Sequence, residues 1–275
     1  METRGSSIYG FDFARAAQIL TDAAARAGAA IMEHFHATAG VKIKDDRTPV
    51  TRADRDSEAI ILEALKRLAP EVPVVSEESG ATATRLGDRF FLVDPLDGTK
   101  EFINKRSDFT VNIALIEKGR PRFGLVYAPA LPLLAVTNAE SKAVEAELPP
   151  NAAGADFASL HHQGLRARVA NPEGLTAFVS LSHLDPETEA FLAKLKIAKR
   201  SSVGSSLKFL AIARGDADLY PRFGPTMEWD TAAGQAVLEA AGGVVVTLSG
   251  DPLRYGKSET GLRNPGFIAW GRTEQ

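Results

Sequence analysis

Apolar residues recur at helical spacing between positions 12 and 37, where Phe13, Ala16, Leu20, Ala23, Ala27, Ala30, Ile31 and Phe35 fall on one face. A polar segment from Val41 to Pro49 follows. The same period returns from Thr51 to Leu68, with Ile61, Leu62, Leu65 and Leu68 on the apolar side, and Pro70 and Pro73 end that helix. Then the pattern changes. Val72–Val75 is a short β-type run, and Phe90–Val93 is apolar at every position, which predicts a strand covered on both faces. Phe109–Glu117 alternates as a strand. Lys118-Gly119-Arg120-Pro121 predicts a turn that brings Phe123–Tyr127 back as a hairpin, with a further strand at Leu133–Thr137.

Residues 138–165 are rich in Ala, Glu, Pro, Asn and Gly and show no period, so a domain boundary is placed there, at 160/161. Beyond it, strand and helix alternate. Strands are predicted at Ala177–Ser180, Ala217–Tyr220, Val244–Leu248 and Phe267–Trp270. Helices are predicted from Asp185-Pro186, over Ser205–Arg214 before Gly215, and over Asp230–Ala241 before Gly242-Gly243. The expected class is α/β, mixing α+β and α/β parts. Residues 1–160 form an N-terminal α+β domain and 161–275 a C-terminal α/β domain.

Composition narrows the function more than the fold. The chain has 275 residues, a formal charge of −3 and no cysteine. Its charge gives no sign of a nucleic-acid-binding surface. The lack of cysteine excludes disulfides, thiolate zinc sites and cysteine nucleophiles. Residues 1–11 lack a signal peptide's basic start and apolar core, and no stretch approaches the roughly 20 apolar residues of a membrane span. The cytoplasm is the default compartment, with attachment to the inner-membrane surface the most that is expected.

The strongest chemical feature is Phe91-Leu92-Val93-Asp94-Pro95-Leu96-Asp97-Gly98-Thr99. An apolar strand runs into two carboxylates three residues apart. Pro95 stiffens the turn between them, and Asp97-Gly98 permits a sharp change of direction. Both carboxylates and an intervening carbonyl can then aim at one point, the oxygen-only set that hard divalent cations take. A short helix after Thr99 would turn the Gly98 and Thr99 amides toward an anion. The six residues Asp94–Thr99 alone fit a plain surface turn equally well. Glu77-Glu78 adds acids at the end of the preceding strand, where a solvated acidic loop is the simpler reading. Asp54 fits a helix capping box with Thr51, and Asp230 fits an N-cap. Trp229 reads as core and His161-His162 as solvated. The five histidines show no zinc spacing, and no P-loop, GxGxxG or nucleophile elbow is present.

Taken together, Glu77-Glu78-Ser79, Asp94-Pro95-Leu96-Asp97-Gly98-Thr99 and Trp229-Asp230-Thr231-Ala232-Ala233-Gly234 resemble the inositol monophosphatase superfamily of lithium-sensitive, Mg²⁺-dependent phosphatases, over nearly the whole chain. Thr99-Lys100-Glu101-Phe102, where inositol monophosphatases usually carry Thr-Thr-Asn, is similar to the CysQ-type 3'(2'),5'-bisphosphate nucleotidases. So are Gly204–Phe209, Leu219–Thr226 and Asn264–Phe267. The resemblance implies a layered α-β-α-β-α sandwich of the sugar-phosphatase type. It implies hydrolysis of adenosine 3',5'-bisphosphate to AMP and phosphate, which clears a by-product of sulfate assimilation.

Residue by residue, the resemblance puts Glu77, Asp94, the Leu96 carbonyl, Asp97 and Asp230 on two or three Mg²⁺ ions, while Glu78 is not a usual ligand. Asp54 and Thr99 match the pair that orients and deprotonates the attacking water. The Gly98 and Thr99 amides match the holders of the scissile phosphate. His183, Ser205, Lys208 and Arg222 are candidates for the nucleotide and its second phosphate, though Lys208 and Arg222 also fit ordinary surface charge. The expected partner is a small nucleotide bisphosphate rather than a nucleic-acid polymer, and the expected state is a monomer or homodimer. The rivals are a phosphatase of the same superfamily acting on inositol phosphate or fructose bisphosphate, a non-catalytic nucleotide sensor, and a metal buffer.

Overall fold

The computed structural model describes residues 11–37, 42–43, 49–50, 52–81, 86–138, 140–150, 152, 154–171, 173–180 and 185–272. The first part runs α1 (Phe13–His36), β1 (Lys42–Ile43), β2 (Pro49–Val50), α2 (Arg52–Leu68), β3 (Val74–Ser76), β4 (Gly80–Ala81), β5 (Arg89–Asp97) and α3 (Thr99–Ile103). It continues through β6 (Thr110–Glu117), β7 (Arg120–Ala128), β8 (Leu133–Thr137), β9 (Ala143–Glu147) and β10 (Gln163–Gly164). The remainder is β11 (Leu175–Ser180), α4 (Pro186–Leu192), β12 (Ile197–Val203), α5 (Leu207–Ala213), β13 (Leu219–Arg222) and β14 (Thr226–Met227). Last come α6 (Glu228–Ala240), β15 (Val244–Thr247), β16 (Arg263–Asn264) and β17 (Phe267–Trp270).

Two large sheets organise these elements. The first has the order β10-β9-β8-β7-β6-β5-β3-β4, and the second β12-β11-β13-β17-β15. Alternate residues of the central strands serve different layers. Phe91, Val93, Ile113 and Leu125 pack with Leu20 and Ile31 of α1 and with Ile61 and Leu65 of α2. Phe90, Leu92, Ile116 and Val126 pack on the other side with Leu210 of α5, Val237 of α6 and Phe267 of the second sheet. That double coverage is why 90–93 is apolar throughout. Ala177, Val179 and Leu219 of the second sheet then meet Leu192 of α4. The layers are therefore α1/α2, sheet, α5/α6, sheet and α4, the five-layer sandwich implied by the resemblance.

The approach of α6 to the first sheet depends on one glycine. A Cβ at Gly124 of β7 would lie 2.4 Å from the Ala233 carbonyl and 2.7 Å from Ala236 Cβ. At the hairpin between β6 and β7, Lys118 and Gly119 both have positive φ, 49° and 71°. That pair is what a two-residue turn between right-twisted strands requires.

The structure differs from the sequence reading in several places. Residues 138–165 are not irregular throughout: β9 and β10 extend the first sheet there. Ile197–Val203 forms β12, which the polar run Lys199-Arg200-Ser201-Ser202 concealed. Among the described residues it is an outer strand, paired only with β11, and most of its side chains are exposed, so no apolar row marks it. The helix expected to begin at Asp230 begins at Glu228, two residues earlier.

Candidate active site

β5 carries its apolar run straight to the acidic loop. Its pairing with β6 slips there: Asp94 opposes Asn112 and Asp97 opposes Thr110, so one extra residue is inserted in β5. Such a bulge re-aims the side chains beside it, and Pro95, which has no N–H to give to a ladder, suits it. Gly98 has φ +91° and caps the five-residue helix α3. A side chain at Gly98 would be strained and crowded against the Asp108 carbonyl, 3.1 Å away.

The loop is fixed from several directions. The Leu96 N–H donates to Asp94 Oδ1 at 3.1 Å, and Thr99 Oγ1 donates to the Leu96 carbonyl at 3.3 Å. Ser57, fully buried on α2, donates to the Pro95 carbonyl at 2.8 Å. Asp54 lies one turn earlier on α2 and is 3% exposed, so a buried carboxylate faces the sheet from the first turn of that helix. Asn112 Nδ2 donates to Asp97 Oδ2 at 3.3 Å. The Glu77 N–H donates to the Val93 carbonyl, and Glu58 of α2 accepts from both the N–H and the hydroxyl of Ser79, which tethers the Glu77–Ser79 turn. Asp230 arrives from the third residue of α6. Its Oδ2 accepts the Met227 N–H at 2.8 Å, and Ser206 Oγ donates to the Asp230 carbonyl at 2.9 Å.

Electrostatics ties these acids into one group. Burial, then the charges of Glu77, Asp97, Asp230 and Asp54, hold the Asp94 carboxyl well above its ordinary range. Asp230 is held up by burial, then by Asp97 and Glu77. Asp97 is raised by burial even though Lys208 and Asn112 favour its charged form. Among the described residues no three acidic or imidazole side chains close into a ready cation cage. The acids stand within one another's field without converging. The oxygen-only donor set and this mutual repulsion still fit hard divalent cations, because cations remove the cost of ionising buried neighbours.

Lys208 and Arg222, for which ordinary surface charge is the alternative reading, are not on the surface. Lys208 is 6% exposed and Arg222 is 7% exposed. The Lys208 ammonium donates to the carbonyls of Val203 (3.1 Å) and Ser205 (2.6 Å) and lies 5.2 Å from the Tyr220 ring centroid. Arg222 donates to the carbonyls of Gly224 and Pro225. Burial pulls Lys208 down to about 8, partly opposed by Asp97 and reinforced by Arg222. Ser205 has φ +49°, and its hydroxyl is buried without a hydrogen-bond partner among the described residues. A strained residue with an unsatisfied oxygen beside two buried cations is the kind of local cost that binding sites retain. His183 lies outside the described residues, as does Thr51 and with it the expected capping box.

Other readings are corrected. His162 is half-buried rather than solvated. Its Nε2 lies 2.7 Å from the Phe157 carbonyl, and its ring lies tilted against that of Phe157 with centroids 4.3 Å apart. Trp229 packs at the margin of the core, in keeping with the expectation for it. Sequence reasoning misses Asp108, which accepts from the Gly204 N–H at 2.6 Å and pairs with Arg106, joining the 204–206 loop to β6. It also misses Asn112, whose signal is present as an amide in an otherwise apolar strand.

The fold is a five-layer α/β sandwich with acids gathered at a strand end around the buried Asp94 and two buried cations beside them. The profile of the inositol monophosphatase family matches residues 13–272. The 3'(2'),5'-bisphosphate nucleotidase CysQ of Escherichia coli K12 is 44% identical over 248 residues, 89% of this chain and 95% of that protein. The CysQ of Shigella flexneri is equally similar, with the same coverage. The crystal structure of CysQ from Bacteroides thetaiotaomicron, described as a bacterial member of the inositol monophosphatase family, superposes with a TM-score of 0.82 at 36% identity, covering 98% of this chain and all of that one. The chain belongs to the inositol monophosphatase family.

Proposed function

We propose that this protein is a Mg²⁺-dependent phosphomonoesterase that removes the 3'-phosphate of adenosine 3',5'-bisphosphate, giving AMP and inorganic phosphate. The observation that carries this reading is the bipolar site. Asp94 is buried, Asp97 and Asp230 are half-buried, and Lys208 and Arg222 are buried beside them, Lys208 within the field of Asp97 and Arg222 within that of Asp230. Lys208 and Arg222 donate to backbone carbonyls and form no ion pair among the described residues, so an anionic group can still be taken up beside them. A second phosphate supplies one. The names of the similar CysQ proteins point the same way.

In this reading Glu77, Asp94, the Leu96 carbonyl, Asp97 and Asp230 hold two or three Mg²⁺ ions. When bound, the metal neutralises phosphate charge and makes a water more acidic. The chain's own residues do the remainder. Asp54 takes a proton from the attacking water, and Thr99 orients that water. Gly98 and Thr99 amides position the phosphate, while Ser205, Lys208 and Arg222, with His183 as the outermost candidate, hold the nucleotide and its 5'-phosphate. Positioning and electrostatics dominate because the reaction needs little covalent chemistry from the protein. The same reading divides the chain at 160/161, supported by the near-complete sorting of the two large sheets to either side. It takes the protein as a cytoplasmic monomer or homodimer. No helix among the described residues is long and apolar enough to cross a membrane.

The decisive experiment is phosphate release from a substrate panel with Mg²⁺. Adenosine 3',5'-bisphosphate is expected to exceed inositol 1-phosphate and fructose 1,6-bisphosphate in kcat/KM by at least about tenfold, the contribution of one well-placed ion pair. EDTA is expected to stop turnover and excess Mg²⁺ to restore it. A preference for inositol 1-phosphate overturns the substrate, and full activity after exhaustive chelation overturns the metal.

Lys208 gives a pH signature. With its ammonium down near 8, the charge is present below that pH and lost above it, so kcat/KM for the bisphosphate is expected to fall as pH rises past 8. Lys208→Met is expected to lower kcat/KM about tenfold or more at pH 7 and to lack that decline. Superimposable pH profiles of the two enzymes would remove Lys208 from substrate binding. The stability sign is opposite. Between about 8 and the ordinary lysine range near 10.5 the unfolded chain binds the extra proton, so this group's contribution to stability rises with pH there.

A further inference from the structure

The first sheet has a second charged feature at the end opposite the acidic loop. β5 starts there, β6 ends there, and the tight Lys118-Gly119 turn leads into β7. A cavity of about 410 Å³ opens at this end, lined by Arg120, Arg122 and Arg254, by Arg89 and Lys118, and by the acids Asp88 and Glu117. Arg89 is the first residue of β5 and Asp94 the sixth, so the two features are about 16 Å apart along the strand.

The charges there do not balance. Glu117 is already engaged, with Oε1 2.5 Å from Arg89 and Oε2 3.9 Å from Arg122. The half-buried carboxyl of Glu239 lies within the field of Arg120, Arg254 and Arg122 and is further held by Gln235 Nε2 at 2.8 Å. Even with Glu239 counted, the three guanidinium groups of Arg120, Arg122 and Arg254 share its carboxyl and one oxygen of Glu117. Crowded cations of one sign raise the energy of a concave site unless a counter-charge enters it. Guanidinium groups present planar forks that match oxyanions in pairs. A concave volume of several hundred Å³ suits a small molecule, whereas a polymer's backbone needs an extended track.

We propose that this cavity is an anion-binding site, separate from the acidic site, that takes a small molecule carrying at least two phosphate or sulfate groups. The proposal does not depend on the phosphatase reading, because none of the cavity's side chains belongs to the proposed catalytic or substrate-binding set.

The test is isothermal titration of the full chain with inorganic pyrophosphate in EDTA. Without divalent cations the acidic site repels the probe, so heat reports other sites. One saturable site per chain is expected, weakened by added salt. Arg120→Ala with Arg254→Ala is expected to weaken binding at least about tenfold. Both arginines are exposed, and an unchanged melting temperature would show that the double variant folds. Arg254→Glu alone is expected to weaken binding as well, by charge reversal. Arg222→Ala is expected to leave pyrophosphate binding unchanged. No saturable binding to the wild type, full binding to the double variant, or loss of binding on Arg222→Ala would each overturn the assignment. Turnover of the double variant with Mg²⁺ is expected to match wild type. If the wild-type chain itself shows no phosphatase activity, the functional reading fails while the titration still decides this site.

Discussion

Asparagine in place of Asp94 is expected to cut turnover by about a thousandfold or more and, in the metal-free protein, to raise the melting temperature. Both effects have one cause. Asp94 is 1% exposed and sits in the field of four other carboxylates. Removing its charge removes a cation ligand, and the loss of several kcal/mol of charge stabilisation corresponds to that factor in rate. Without metal, the same charge is a cost. A carboxyl raised in the folded state binds its proton more tightly there than in the unfolded chain. Its contribution to stability is therefore present below the ordinary carboxylate range and is lost as pH rises through the folded value. At neutral pH the variant escapes that loss, with about 2–4 °C expected for each kcal/mol relieved in a chain of this size. Asparagine keeps the shape and can still accept the Leu96 N–H. The checks are steady-state kinetics with Mg²⁺ and thermal melts in EDTA. Near-wild-type turnover, or a lower melting temperature in EDTA with the wild type unchanged, would place Asp94 in a structural role instead.

The same balance explains what the sequence shows and what it hides. Strands covered on both faces announce themselves, because every position must be apolar: Phe90–Val93 is legible as β5 from its residues alone. The acidic loop is legible as two acids closing an apolar run, a pattern that by itself fits a plain turn equally well. Its bulge is not, because register depends on β6. Outer strands fail for the opposite reason. Ile197–Val203 is mostly exposed and carries no burial pattern to read. Ala143–Glu147 has only a weak one. The buried cations are the least legible of all. Lys and Arg are read as surface residues because burying an unpaired charge is costly. Lys208 and Arg222 escape that rule through backbone carbonyls two to five residues away, which only the local turn of the chain brings to the charged group. Asp108 is likewise meaningful only once Gly204 lies 2.6 Å from it.

Asp54→Asn separates chemistry from cation binding, and is expected to lower kcat about 10²–10⁴-fold with little change in KM or in the Mg²⁺ dependence. The structure gives the reason for expecting a kinetic effect without collapse. Asp54 is in the first turn of α2, and Ser57, one turn later, binds the Pro95 carbonyl at 2.8 Å. That bond, with Glu58 holding the Ser79 turn, fixes the helix against the acidic loop independently of the Asp54 carboxylate. Thr99 is fixed against the same loop from the other side by its bond to the Leu96 carbonyl. An amide at position 54 keeps the shape but cannot take a proton. Thr99→Ala should then cost less when added to Asp54→Asn than when made alone, because two groups acting on one water are not additive. Ser57→Ala supplies the contrast. It removes the tether rather than the base, so its loss of rate should come with a lower melting temperature. If Asp54→Asn instead raised the Mg²⁺ requirement in proportion to its loss of rate, Asp54 would be a cation ligand, and the base would have to be sought elsewhere in the acidic group.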